Sequence, residues 1–359
     1  MNEKVAVLGA SIISPQASVR LQREEMVFHA CRSALRQAGL GRDDLGAVVQ
    51  CSMDMLDGRI ISSSTSVEPA GAYLKEEAKV AGDGLLALIL GWMRVLSGAF
   101  DAVLVVAQCK PSETRPEAAY RALFDPWYTR PLGLDRVSAA ALQARRRMEG
   151  GGPAPGTLAK IVEQHRARGA KNPRSRSPRV SAREVLRSPV RASPIRVLEI
   201  SPFVDSAAAL VLASEDLARS HPSPVWIVGA CHCVEEHLLG ERELHRSRAL
   251  EDAAARAYRM AGLRPRDLDA AELHAEFSYQ VPLWSEALGL DVGRTSVDPS
   301  GGSLAGHAPF VGGLSRAAEA VLQLRGEAGP VQVRGAKAAL AHGAAGPCGQ
   351  SQAVAIFAR

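Results

Sequence analysis

ACRSALRQAGLGRDDLGAVV, residues Ala30 to Val49, returns 223 positions later as AAARAYRMAGLRPRDLDAAE, residues Ala253 to Glu272. The two strings align without a gap: Ala38-Gly39-Leu40 falls on Ala261-Gly262-Leu263, and Asp44-Leu45 falls on Asp267-Leu268. Each predicts a helix closed by a glycine C-cap, a short turn carrying acids, and then a strand. The equivalence extends further along both copies. An apolar helix over Leu85 to Leu96, a turn at Gly98 and a strand over Ala102 to Ala107 are matched by Leu314 to Leu324, Gly326 and a strand near Ala336 to Ala341. The chain is therefore a duplication, and its fold class is α/β. Alternating strands and helices predict sheets covered by helices through right-handed crossovers, and two equivalent halves packed into a layered body.

Composition sets the outer limits. With 359 residues and 47% hydrophobic content the chain can build two or three cores of ordinary size. Six cysteines, Cys31, Cys51, Cys109, Cys231, Cys233 and Cys348, are too few for a disulfide scaffold. The start, Met1-Asn-Glu-Lys4, runs directly into an apolar strand and carries no signal-peptide pattern, so a reducing, cytoplasmic setting is expected. The longest apolar stretch, Leu85 to Met93, is far short of the roughly 20 residues that span a bilayer.

The net charge of +5 is modest but unevenly distributed. Arg166, Arg168, Lys171, Arg174, Arg176, Arg179, Arg183, Arg187, Arg191 and Arg196 face a single acid, Glu184, over one stretch broken by Pro173, Pro178, Pro189 and Pro194. It reads as an extended basic loop that contacts a phosphorylated small molecule; no aromatics alternate with the arginines, which argues against nucleic acid. The expected divisions are 1–111 for the first part of the N-terminal half, 112–193 for this basic insertion, 194–220 for completion of that half, and 221–359 for the C-terminal half.

Five segments, taken in order, carry a family resemblance: KVAVLGA from Lys4, GAFDAVLVV from Gly98, ISPFVDSAAALVLAS from Ile200, DPSGGSLAGH from Asp298 and LRGEAG from Leu324. Over nearly the whole chain they resemble the thiolase superfamily, in particular its sterol carrier protein X-type and archaeal acetoacetyl-CoA members. The resemblance implies a layered α/β/α/β/α body, a coenzyme A thioester as substrate or ligand, no other cofactor, and a homodimer or a heterodimer with a thiolase-like subunit. It also implies that Arg166, Arg168, Lys171, Arg174, Arg176 and Arg179 lie where the family's CoA-binding loop region lies.

Thiolases carry the acyl group on a cysteine at the start of a buried helix, where the helix dipole and a histidine lower its pKa. Counting back from Ser97-Gly98, that position is Ala81, and no cysteine occurs between Cys51 and Cys109. A methyl group cannot be acylated. Other elements of the family pattern persist: Gly306-His307 matches the Gly-His motif, His274-Ala-Glu-Phe277 matches a His-Asp-x-Phe motif with the aspartate replaced, and His342 and Cys348 both fall in the C-terminal loop that supplies the final acid. His307, His274, His342 and Cys348 are the expected catalytic set. Tyr279 offers a further hydroxyl.

Cys231-His232-Cys233 with His237 has the composition of a metal site but not the spacing. Alternation along a strand puts the two thiols on one face and His232 on the other, so no metal is expected. A missing nucleophile leaves open retro-aldol cleavage of a 3-hydroxyacyl-CoA, with His307 and His274 as base and oxyanion donors. Thiolase relatives of that kind work with a partner bearing an OB-fold and zinc ribbon. The competing expectations are a non-catalytic subunit supporting an active partner and a relocated nucleophile, with Cys348 accepting the acyl group.

Overall fold

In the computed structural model the described residues are 4–175 and 177–359. They form, in order, β1 (Val5–Ile12), α1 (Arg23–Ala38), β2 (Ala47–Cys51), α2 (Asp54–Asp57), β3 (Glu76–Val80), α3 (Gly84–Leu96), β4 (Ala102–Cys109), α4 (Pro116–Ala122), α5 (Arg136–Glu149), α6 (Pro155–Lys171), α7 (Ala182–Arg187), β5 (Val190–Ala192), β6 (Ile195–Arg196), β7 (Ser206–Ser214), α8 (Glu215–Ala218), β8 (Val225–Val234), α9 (Arg248–Ala261), β9 (Ala270–Glu272), α10 (Gln280–Ala287), β10 (Ser296–Val297), α11 (Gly312–Arg325), β11 (Ala338–Ala345) and β12 (Ser351–Ala358). The repeated strings are α1–β2 and α9–β9. Their helices end on Gly39 and Gly262, both left-handed with φ of 67° and 66°, a conformation that costs glycine little.

Strand order confirms the duplication. The N-terminal half runs β3-β2-β4-β7-β1 and the C-terminal half β10-β9-β11-β12-β8, so the first, second, third, fourth and fifth strands of each copy occupy the same places. The halves join where β1 pairs antiparallel with β8, Ala6 opposite Trp226 and Val7 opposite Val225, making one continuous ten-stranded ladder. That ladder cannot be flat. Helix α3 packs on both β2 and β11, six places apart in the ladder or about 29 Å if the sheet were flat, which no helix of about 10 Å diameter can bridge. The two halves therefore face each other across α3 and α11.

Side-chain alternation matches these layers. On β4, Val103, Val105 and Ala107 join a central core with Leu85 and Leu88 of α3 and Leu314, Ala317 and Val321 of α11. Ala102, Leu104 and Val106 of the same strand face outward onto Met26, Val27 and Ala30 of α1. The outer face of the other half packs on Leu250, Ala253 and Ala257 of α9. Five layers result, as the resemblance implies. Helix α3 is apolar on nearly every side because both of its faces meet a sheet; each fully buried leucine in it contributes about 2 kcal/mol.

The basic insertion corrects one expectation. It is mainly helical, carrying α4 to α7 and the short β5–β6 hairpin, and Arg166, Arg168 and Lys171 lie on α6. The prolines sit outside the helix: α6 ends at Lys171, before Pro173 and Pro178. Among the described residues no helix is long and apolar enough to cross a membrane.

Candidate active site

The start of α3 is tied directly to the C-terminal half. Asp83 caps that helix: its Oδ1 accepts from Leu85 N at 2.8 Å and its Oδ2 from Gly313 N at the head of α11 at 3.1 Å. Glycine is required opposite it, since a Cβ on Gly313 would lie 1.8 Å from Asp83 Oδ1, and one on Gly343 of β11 would lie 2.1 Å away. Asp83 is 2% exposed and reaches His274, with Nδ1 to Oδ2 at 3.0 Å. Burial opposes a charge on His274, Asp83 more than offsets this, and the imidazole pKa is raised.

His274 follows β9 and passes the contact on: its Nε2 is 3.3 Å from His307 Nδ1. His307 is fixed through its own backbone, its N–H donating to Pro202 O at 2.9 Å and its carbonyl accepting from Val204 N at 3.0 Å. The strand-like stretch Pro202–Val204, part of the ISPFVDSA segment, thus sets its ring. His307 Nε2 lies 3.2 Å from Tyr120 Oη on α4 and 3.6 Å from Glu276 Oε1. Burial pushes the His307 pKa down to about 3, so the ring is neutral near pH 7. A four-membered chain results, Tyr120–His307–His274–Asp83. Every group in it is satisfied when each of the first three donates to the next.

Glu276 and Arg136 flank the chain. Arg136 donates to Glu276 Oε2 at 3.0 Å and Glu117 Oε1 at 2.9 Å, and its guanidinium lies over the rings of Phe203, Tyr120 and Phe277 at 4.6, 5.4 and 5.3 Å. Burial raises the Glu276 carboxyl, and the His307 imidazole and Arg136 charge outweigh it, bringing it to about 2. His274, Glu276 and His307 offer three ligand-type atoms within 4.8 Å of one another. Arg136 already neutralises Glu276 and the two imidazoles bond to each other, so the trio is engaged as hydrogen-bond partners.

A cavity of about 330 Å³ opens over this chain, lined by Tyr120, Arg136, His274, Glu276, His307, Ala81, Gly82 and the loop from Ala344 to Ser351. Three of the four expected catalytic residues, His307, His274 and Cys348, line it, and so does Ala81. His342 does not: alternation on β11 turns it to the outer face, where its Nε2 is 2.6 Å from Gln352 Oε1 and its Nδ1 accepts from His274 N at 3.3 Å. Burial pushes the Cys348 thiol up to about 12, and among the described residues it has no hydrogen bond to His307 or His342. Tyr279 is packed away from the cavity, donating to Gln143 Oε1 at 2.9 Å.

The basic segment divides in two. Arg168 donates to the carbonyls of Val297 and Asp298, and Arg174, just after α6, pairs with buried Glu319, so these two fasten this stretch to the C-terminal half, while Arg166 is buried beside Ser177 within the insertion. Lys171 and Arg179 are exposed, and Arg176 lies outside the described residues. Cys231 and Cys233 share a face, their sulfurs 4.0 Å apart, while His232 points to the opposite one, as alternation requires.

An acetyl-CoA acetyltransferase of Methanothermobacter thermautotrophicus is 33% identical over 384 aligned positions, covering 99% of this chain and 99% of the relative. The chain belongs to the thiolase superfamily. The family described as Thiolase C-terminal domain-like matches residues 230–292 and 290–359. The thiolase fold recurs in the Ltp2-ChsH2(DUF35) aldolase, with a TM-score of 0.84 at 22% identity over 99% of this chain and 98% of that one. It recurs also in a monomeric SCP2-thiolase-like protein of Mycobacterium smegmatis, with a TM-score of 0.76 at 20% identity over 99% and 76%. In this superfamily member Tyr120 and Arg136 line the cavity beside the expected residues and Asp83 backs His274, and little in the sequence marks these three. Asp83 precedes an apolar helix and is legible as an N-cap; Tyr120 and Arg136 lie in the insertion, where neither spacing nor motif marks them.

Proposed function

We propose that this protein breaks or makes a carbon–carbon bond beside an acyl-CoA thioester by retro-aldol or aldol chemistry. The observation that supports it is the buried chain from Tyr120 to Asp83, which meets the cavity at one end and a carboxylate at the other. In this reading Ala81 stands where the family's nucleophile stands, and no acyl-enzyme forms there. Cleaving a 3-hydroxyacyl thioester requires a base for the hydroxyl proton and a donor for the thioester oxygen as the enolate forms. Neutral His307 takes the hydroxyl proton at Nε2 and passes its Nδ1 proton to His274, where Asp83 stabilises the imidazolium. The C2–C3 bond then breaks, its electrons forming the enolate and the C3 oxygen becoming a carbonyl. Once protonated at Nε2, His307 no longer accepts from Tyr120, whose O–H turns to the enolate oxygen. The relay then runs backward: His274 returns its Nε2 proton to His307 Nδ1 as His307 gives its Nε2 proton to the enolate carbon, which resets the site.

The substrate is a coenzyme A thioester and the reading requires no other cofactor. Lys171 and Arg179 are the proposed contacts for its phosphates, and affinity through them falls with added salt. The fold shared with the Ltp2-ChsH2(DUF35) aldolase supports a second protein, of OB-fold and zinc-ribbon type, as partner, alongside pairing with another thiolase-like subunit. The methyl of Ala81 favours one other reading, a non-catalytic subunit of such an assembly.

The deciding experiment incubates the protein with a panel of 3-hydroxyacyl-CoA and 3-ketoacyl-CoA thioesters and identifies products by mass spectrometry, beside His307→Ala and Cys348→Ala. Cleavage of hydroxy substrates that is lost in His307→Ala and kept in Cys348→Ala supports the aldolase. No product from any substrate, with or without a partner, supports the non-catalytic subunit.

A further inference from the structure

Ser351 opens β12 and lines the same cavity, on the wall formed by the loop from Ala344. Its Oγ is 2.7 Å from His232 Nε2 on the neighbouring strand β8. The register explains the contact: Ala353 lies opposite His232 and Ser351 opposite Val234, so Ser351 and His232 are diagonal neighbours on one face. It is the inner face, because Ala353 and Ala355 of β12 pack in the central core. Both residues therefore lie on the side of the sheet that packs on α3, and Ser351 shares the cavity with Ala81 and Gly82, just before that helix.

We propose that Ser351 and His232 form a nucleophile–base dyad that accepts an acyl group from a thioester and releases it to water. The distance lies within the 2.6–3.2 Å that a serine and its general base require. His232 is half-buried and burial lowers its pKa, partly opposed by Asp83, so the ring is neutral and able to take a proton near pH 7. Ser351 Oγ attacks the thioester carbonyl while its proton moves to His232 Nε2. The C–S bond breaks, the thiol leaves with that proton, and a seryl ester remains. Water then attacks the ester, His232 takes the water's proton, and it returns to Ser351 Oγ as the carboxylic acid departs. No oxidant or reductant enters. None of this uses Tyr120, His307 or the carbon–carbon chemistry; the proposal rests on that reading only for the thioester as substrate.

The test uses a saturated acyl-CoA without an oxygen at C3, such as butyryl-CoA, which cannot undergo retro-aldol cleavage. Released thiol is followed by a thiol-reactive dye, and rapidly quenched samples are digested for mass spectrometry. The expected result is thiol release with a butyryl ester on the peptide carrying Ser351, reduced roughly 100-fold or more in Ser351→Ala and in His232→Gln. Ser351→Cys should keep the acyl adduct, now as a thioester, which shows that the site still folds. Thiol release unchanged in Ser351→Ala, an adduct on Cys348 instead, or no adduct and no release in the folded wild type would each overturn the dyad. Butyryl-CoA has no hydroxyl at C3, so loss of this reaction leaves the carbon–carbon reading standing, and failure to cleave hydroxy substrates leaves the dyad standing.

Discussion

His307 has almost no freedom to move: both of its backbone groups are tied to Pro202–Val204 and its ring is held between Tyr120 and His274. Its replacement by alanine should abolish cleavage of hydroxy substrates with little effect on the far-ultraviolet circular dichroism. Asp83 makes a pH-dependent prediction. Because Asp83 raises the His274 pKa, the chain is already loaded with a proton below that value and cannot accept one, so cleavage should rise with pH through an apparent value above the usual imidazole range near 6.5. Asn in its place keeps a side-chain oxygen to cap α3 but removes the charge. In Asp83→Asn the acid limb of kcat/KM should therefore move to lower pH by about 1 to 3 pH units; a limb that stays in place would mean that His274 is not the group being titrated. At this scale the sequence was partly legible. His274, His307 and Cys348 stood in recognisable strings, whereas Tyr120 and Arg136 reach the cavity only through the packing of α4 and α5, which no local pattern encodes.

Helices α3 and α11 meet through glycines, and that contact also carries the site. A methyl on Gly312 would lie 2.2 Å from His274 Nε2, and one on Gly313 would strike Asp83 and lie 2.8 Å from Leu85 Cβ. Gly313→Ala should destabilise the fold by about 1–3 kcal/mol, measured as a lower urea midpoint, whereas Gly312→Ala should chiefly displace the imidazole and reduce turnover. The turn just after α6 makes a different prediction. Arg174 neutralises Glu319, which is 2% exposed and otherwise held by Asn172. Arg174→Met should cost about 3 kcal/mol by chemical denaturation, since it strands a buried charge, and should not act mainly through CoA affinity. Arg168 and Arg174 resemble free cations when only the number and neighbours of the basic residues are read. Their acidic and carbonyl partners lie more than a hundred residues away, beyond the reach of any local reading.

Across the whole molecule the duplication was the most legible feature, because a repeat needs only two strings to be compared, and the strand order of the two halves repeats accordingly. What the strings did not reveal is how the halves meet: β1 and β8, equivalent strands, pair antiparallel at Ala6–Trp226 and Val7–Val225. Like edges joined in this way are self-complementary, the arrangement that relates two identical subunits by a twofold axis. A single half-chain would present that edge, and the bare inner side of its own central helix, to any second copy of itself. The modern fold is then a dimer whose subunits have been tied end to end, and the asymmetry of its cavity, with Asp83 contributed by one half and both imidazoles by the other, is something that only a fused pair, free to diverge, can acquire.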